Sequence, residues 1–167
     1  AGILRQIGYE TPTNPNSQPS GTKSGYGLSL NGQYNTFGKD RVVAHLVFGR
    51  GIASYMNDGG VDLAPNANLQ AEAVESVGWF VYYDHYWNEK WSRSIGYSYT
   101  EVDNTNFQDG SAFRKGEYAS VNLLVTPAKN IMMGGELLWG KRTNNDGRSD
   151  DAMRFQFTVK YNFSSVL

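Results

Sequence analysis

The chain has no cysteine, which excludes disulfides, zinc–thiolate sites and cysteine nucleophiles. It has only two histidines, His45 and His85, and no His-x-x-x-His spacing, so no metal ligand set is read and no cofactor is expected. Neither sign of charge dominates. The formal net charge of -1 argues against a large nucleic-acid footprint. Long hydrophobic runs are also missing, and no stretch approaches the ~18 consecutive apolar residues of a spanning helix. The opening Ala1-Gly2-Ile3-Leu4-Arg5-Gln6 lacks a basic region followed by an apolar core. The expectation is therefore a chain that starts after a cleavage site or within a longer protein.

The chain is rich in aromatic residues, at 14%, and has 19 glycines, although hydrophobic residues make up only 40%. A β-barrel gives this combination, because only every second residue of each strand faces lipid. Period-two alternation carries the argument. Met153, Phe155, Phe157, Val159, Tyr161 and Phe163 alternate with Arg154, Gln156, Thr158, Lys160 and Asn162. Upstream, Ile131, Met133, Leu137 and Trp139 oppose Gly134, Glu136, Gly140 and Arg142, and Ala119, Val121, Leu123 and Val125 oppose Tyr118, Ser120, Asn122 and Thr126. Trp91, Ile95, Tyr97 and Tyr99 oppose Ser92, Ser94, Gly96, Ser98 and Thr100, and Tyr26, Leu28, Leu30 and Tyr34 oppose Gly27, Ser29, Asn31 and Gln33. Two further strands carry Val42–Phe48 and Val77–Tyr83, and a first strand over Gly2–Tyr9 has no clean phase because of Arg5. About eight strands result, each near the ~9–11 residues of an oblique membrane crossing.

The connections sort by length. Short turns are expected at Gly38–Asp40, Asn88–Lys90 and Pro127–Asn130, and long polar connections at Thr11–Ser24, Asn57–Asn68, Asp103–Lys115 and Thr143–Asp150. Outer-membrane barrels place short turns on one side and long loops on the other. Tyr86, Trp87, Trp91, Tyr161 and Phe163 flank the short-turn side, where an interfacial aromatic girdle belongs. The fold class is all-β: a transmembrane antiparallel up-and-down barrel, with residues 1–167 as one barrel segment of the bacterial outer membrane, set in bilayer and lipopolysaccharide. Unpaired strand edges in hydrocarbon cost several kcal/mol per group. The strands must close as eight or continue into others, and eight is also half of sixteen.

The order of several strings carries a family resemblance. They are Arg41–Ile52 followed by Tyr55-Met56-Asn57-Asp58, then Tyr83–Ser92, Ile95–Ser98, Val121–Leu124, Met132–Leu137 and Lys160–Ser164. From about Tyr26 onward the chain resembles the C-terminal half of the DcaP-like outer-membrane porins. The chain runs on past Phe163 through Ser164–Leu167, where such strands often end on the aromatic itself. The resemblance implies half of a sixteen-stranded barrel that assembles as a homotrimer and admits small anionic solutes such as dicarboxylates.

Strand phase turns His45, Glu136, Arg142, Arg154 and Lys160 toward the lumen, and Arg5 and Arg50 join them if local bulges rotate them inward. Such cations bias a wide pore toward anions. The plainer role is pairing with acids across the wall. His85 is read as interfacial, and Asp84 beside it faces the opposite side of the strand. The acid-rich 145–151 stretch lacks EF-hand spacing, and Gly49-Arg50-Gly51 lacks a nucleotide-loop context. No Ser or Asp with a positioned base is apparent, so an enzyme is not expected. The leading expectation is passive diffusion of small hydrophilic anions. The alternative is a self-contained eight-stranded barrel with a structural or adhesion role through its loops. Small inward residues such as Gly27, Ser94, Gly96 and Gly134 argue for the wider barrel. A soluble β-sandwich conflicts with the sorted loops.

Overall fold

The computed structural model describes residues 1–10, 20–57, 59–68 and 70–163. Its strands are β1 Gly2–Glu10, β2 Ser20–Asn35, β3 Arg41–Arg50, β4 Leu63–Pro65, β5 Ala71–Ala73, β6 Glu75–Tyr86, β7 Trp91–Asp103, β8 Phe113–Ala128, β9 Ile131–Asn144 and β10 Ser149–Tyr161. The eight long strands form one antiparallel sheet in the order β1-β2-β3-β6-β7-β8-β9-β10, while β4 and β5 make a separate hairpin. Among the described residues no ladder joins β1 to β10. The closed eight-stranded alternative requires that ladder.

Several strands are longer than expected, with 16 residues in β2 and in β8. They run past the hydrocarbon into segments where both faces are polar and alternation leaves no trace. As a result the expected long connection Thr143–Asp150 shrinks to four residues between Asn144 and Ser149. The expected Thr11–Ser24 loop likewise loses its last residues to β2, and its 11–19 portion lies outside the described residues, as do Asp58 and Ser164–Leu167.

The register fixes one phase across the whole sheet. Leu28 faces Phe48, and Phe48 faces Val77; Leu46 faces Trp79, and Trp79 faces Tyr99; Val121 faces Leu137, and Leu137 faces Phe155. The strands' exposed large apolar residues belong to this phase, from Leu4, Tyr26 and Leu30 through Val81 and Ile95 to Phe157, Val159 and Tyr161. A water-soluble domain rarely exposes so wide an apolar surface; lipid accepts it. The other phase is mostly polar and small, as in the row Ser29, Val47, Gly78, Thr100, Gly116 and Arg142. β1 keeps the register but mixes apolar and polar residues on both phases. Leu4 is 88% exposed on the outer phase, while Ile3, Arg5, Ile7 and Tyr9 share the inner one. Arg5 therefore points inward by ordinary alternation, without the expected bulge.

The short-turn rim is built around Asp40, which is only 6% exposed. Its carboxylate accepts hydrogen bonds from Tyr83 Oη and His85 Nδ1, both at 2.6 Å, and from Tyr86 N at 2.8 Å. Led by the Tyr83 bond, these hold its pKa down at about 2. Trp87 packs edge-on against His85 at 5.0 Å, with Arg93 over its ring. Tyr34, Phe37, Trp91, Tyr161 and Phe163 are exposed beside this rim, as an aromatic girdle should be. Tyr86 departs from that expectation: it pairs with Ser92 on the inner phase and serves the rim through its backbone.

Two outcomes test this arrangement. Phe157→Arg, near the middle of the apolar band, should destabilise the bilayer-inserted protein by ~2–4 kcal/mol in urea titrations, whereas Thr158→Arg on the inner phase should change it little; equal effects would refute the assignment of faces. A depressed carboxylate stabilises above its unfolded pKa and ceases to as pH falls through the folded value. The rim, followed by Trp87 fluorescence, should thus hold to about pH 4 and loosen as pH falls toward about 2, and Asp40→Ala should abolish that transition.

Candidate functional site

The longest described connection, Gly51–Val74 between β3 and β6, folds against the inner wall. The turn inward starts at Gly51, whose φ of 65° is in the left-handed region. Ile52 and Val74 are almost wholly buried, and a 3-10 turn covers Ala53–Tyr55. Ile52 seats against Gly27 and Gly49 and Met56 against Gly78. A Cβ at Gly27 would sit 2.9 Å from Ile52 Cδ1, and one at Gly78 only 2.6 Å from Met56 Cε. Inner-wall glycines therefore hold this connection in place. Their small size had suggested open lumen, and for Gly27 that expectation gives way to packing. The same holds for Gly96, where the Tyr82 ring fills the space, and for Gly134, which sits under Leu124.

Arg5 latches the connection. Its guanidinium lies 3.0 Å from both Asp62 Oδ2 and Ser54 Oγ, donates to Gly51 O at 3.4 Å, and stands over the Tyr55 ring at 5.3 Å. Ser54 N and Oγ donate to the same carboxylate at 2.9 and 2.8 Å. Burial alone raises the Asp62 pKa; the Ser54 bonds, then the Arg5 charge and bond, outweigh it and hold the group below its ordinary value. Arg50 occupies the outer phase with Phe48, opposite Glu75, and no bulge turns it inward. It donates to Ala73 O at 2.8 Å and to Glu72 Oε1 at 2.9 Å, fixing the end of the same connection. Arg5 and Arg50 are thus each paired with a carboxylate of the connection.

The remaining candidates stand on the inner phase. His45 Nε2 lies 2.9 Å from Ser29 Oγ and its ring meets Phe80 edge-on. Ser29 and His45 therefore make a hydroxyl–imidazole pair that sequence reading did not foresee. Nothing among the described residues orients the other ring nitrogen, so the triad logic is incomplete. Gln156 donates to Glu136 Oε2 at 2.6 Å. Arg142 donates to Asn144 Oδ1 and Ser111 O, both neutral acceptors. Arg154 and Lys160 lie on the inner phase of β10, facing Leu138 and Met132. Neither makes an ion pair among the described residues. Sequence reading missed Arg41, which shares the inner phase and pairs with Asp84 at 2.7 Å. Of the inward cations, Arg5 is taken up by the connection and Arg41 by Asp84, while Arg142, Arg154 and Lys160 on β9 and β10 make no ion pair among the described residues.

Asp62 stabilises the latch above its unfolded pKa and stops as pH falls through its lowered folded value. Mobility of the connection, read from a spin label at Asn57, should be flat from neutral pH to about pH 5 and rise below about pH 4; Arg5→Ala should raise it at every pH. Equal mobility in wild type and variant throughout would remove Arg5 from the latch.

No protein-family model matches the chain, and no curated protein is similar to it in sequence. Among solved structures it is similar to the crystal structure of the outer membrane channel DcaP of Acinetobacter baumannii, with a TM-score of 0.80 and 23% sequence identity. The match covers 97% of this chain and 46% of that one, so the chain spans about half the length of the channel. The likeness establishes the fold, an eight-stranded antiparallel sheet of porin-barrel type.

Proposed function

We infer that this chain forms half of an outer-membrane porin that passes small hydrophilic, anionic solutes by diffusion. The observation that carries the reading is the division of the sheet: an outer phase dominated by large apolar residues from β2 to β10, and an inner phase bearing Arg142, Arg154 and Lys160 without carboxylate partners among the described residues. Cations on a low-dielectric wall raise the local anion concentration without a dedicated binding site. Dicarboxylate-like solutes fit, because two carboxylates can engage cations separated along β9 and β10. The open β1 and β10 edges call for neighbouring strands, in keeping with a sixteen-stranded barrel. A trimer of such barrels in bilayer and lipopolysaccharide is the assembly we propose. Passage of solutes needs no catalysed step, and the incomplete Ser29–His45 pair is assigned to wall structure.

In planar bilayers the intact protein should be anion-selective, and Arg154→Glu with Lys160→Glu should move the reversal potential toward cation preference. A potential unchanged by the double reversal would take both residues out of selectivity.

A further inference from the structure

Porin lumens are polar, yet this inner wall carries rings on neighbouring strands. His45 on β3, Phe80 on β6, Ser98 on β7 and Tyr118 on β8 form one register row, and Tyr82 follows Phe80 on the same face. His45 meets Phe80 at 5.3 Å and Phe80 meets Tyr82 at 5.8 Å, both edge to face. Gly96 lets the Tyr82 ring lie flat on the wall, since a Cβ there would clash with that ring. The inward connection supplies the facing side. Tyr55, 63% exposed, and Met56 border a recess of about 650 Å³ whose wall includes His45, Phe80, Ser98 and Thr100. Ser98, Thr100 and Asn57 also line the adjoining recess, which holds Tyr118 and Arg142. The two make a trough with rings along its floor and a guanidinium at one end. Asp150 lies opposite Arg142 in the register, but no ion pair joins them. The Arg142 side chain donates to neutral acceptors and lies over the Phe113 ring at 5.7 Å, and Glu117, Asp150 and Asp151 line the same recess without an ion pair to it.

We propose that this trough is a subsite for arene-bearing carboxylates: the ring lies along the Phe80–Tyr118 row and the carboxylate meets Arg142. Rings on both sides reward a solute with a π-face over an aliphatic one of equal size and charge, through edge-to-face and offset stacking, while a guanidinium binds a carboxylate through charge-assisted bonds. The inference rests on the porin reading above and adds the solute class that the wall prefers.

The test is block of chloride current through the intact channel protein by benzoate and by cyclohexanecarboxylate, which matches benzoate in size and charge without a π-face. Benzoate should half-block at a concentration about three- to tenfold lower, the factor expected of one or two aromatic contacts. Phe80→Leu with Tyr118→Leu should bring the two concentrations together while chloride conductance stays within the wild-type range, and Tyr118→Phe should keep the preference. Equal block of the wild-type channel by both acids overturns the proposal, and so does a preference that survives the double leucine variant. The wild-type comparison decides the matter even if the double variant fails to insert. A channel without anion selectivity would instead refute the porin reading itself, visibly so in the reversal potential before either acid is added.

Discussion

Backbone hydrogen bonding is the constraint on which everything else in this molecule depends. Hydrocarbon offers no partner to an N–H or C=O group, so each strand must be paired on both sides along its membrane-crossing length. The antiparallel ladder does this for β2 through β9. Once pairing is fixed, side chains have only two directions, and the sequence divides accordingly: mostly large apolar residues outward, and mostly small and polar ones inward apart from the ring-bearing row of Phe80 and Tyr118. The strands whose outer edge is left open, β1 and β10, are where the described sheet falls short of the constraint. A porin-type barrel of twice this strand count meets it, and the channel whose structure this chain matches is about twice as long.

The inner wall is organised by a second requirement, that a polar connection folded into a lumen be held there. Wall glycines give it room, Gly51 gives it the turn, and Arg5 gives it a charged anchor. That anchoring divides the inward cations. Arg5 of β1 is occupied with the connection and Arg41 of β3 with Asp84, while those of β9 and β10 stand on the inner phase without carboxylate partners among the described residues. A polar cluster of Asp40, Tyr83 and His85 closes the short-turn rim in a comparable way.

Much of this was legible in the sequence wherever the two faces differ sharply. Met153–Phe163 shows its alternation because aromatics confront Arg154, Gln156 and Lys160, and its phase in the structure is the phase read from the sequence. The same alternation gave about eight strands, and the long sheet has eight. Legibility failed where side-chain type does not report direction. In β1 both phases hold apolar residues, and Arg5 seemed to disrupt a pattern that it follows. Strand ends such as Ser149–Asp151 are polar on both faces and read as loop. The inward course of Gly51–Val74 depends on long-range fits, Ile52 on Gly27 and Met56 on Gly78, that no local period encodes. Inward glycines were read as open space for the same reason: the residue that fills each one comes from elsewhere in the chain.

Native mass spectrometry of the detergent-extracted particle, with sequencing of its peptides and hydrogen exchange at β1 and β10, addresses the central claim most directly. The account predicts barrels that contain strands beyond these eight, with the outer amides of β1 and β10 protected by those added strands. A particle consisting of this chain alone as a monomer, with β1 and β10 protected by each other, would contradict it.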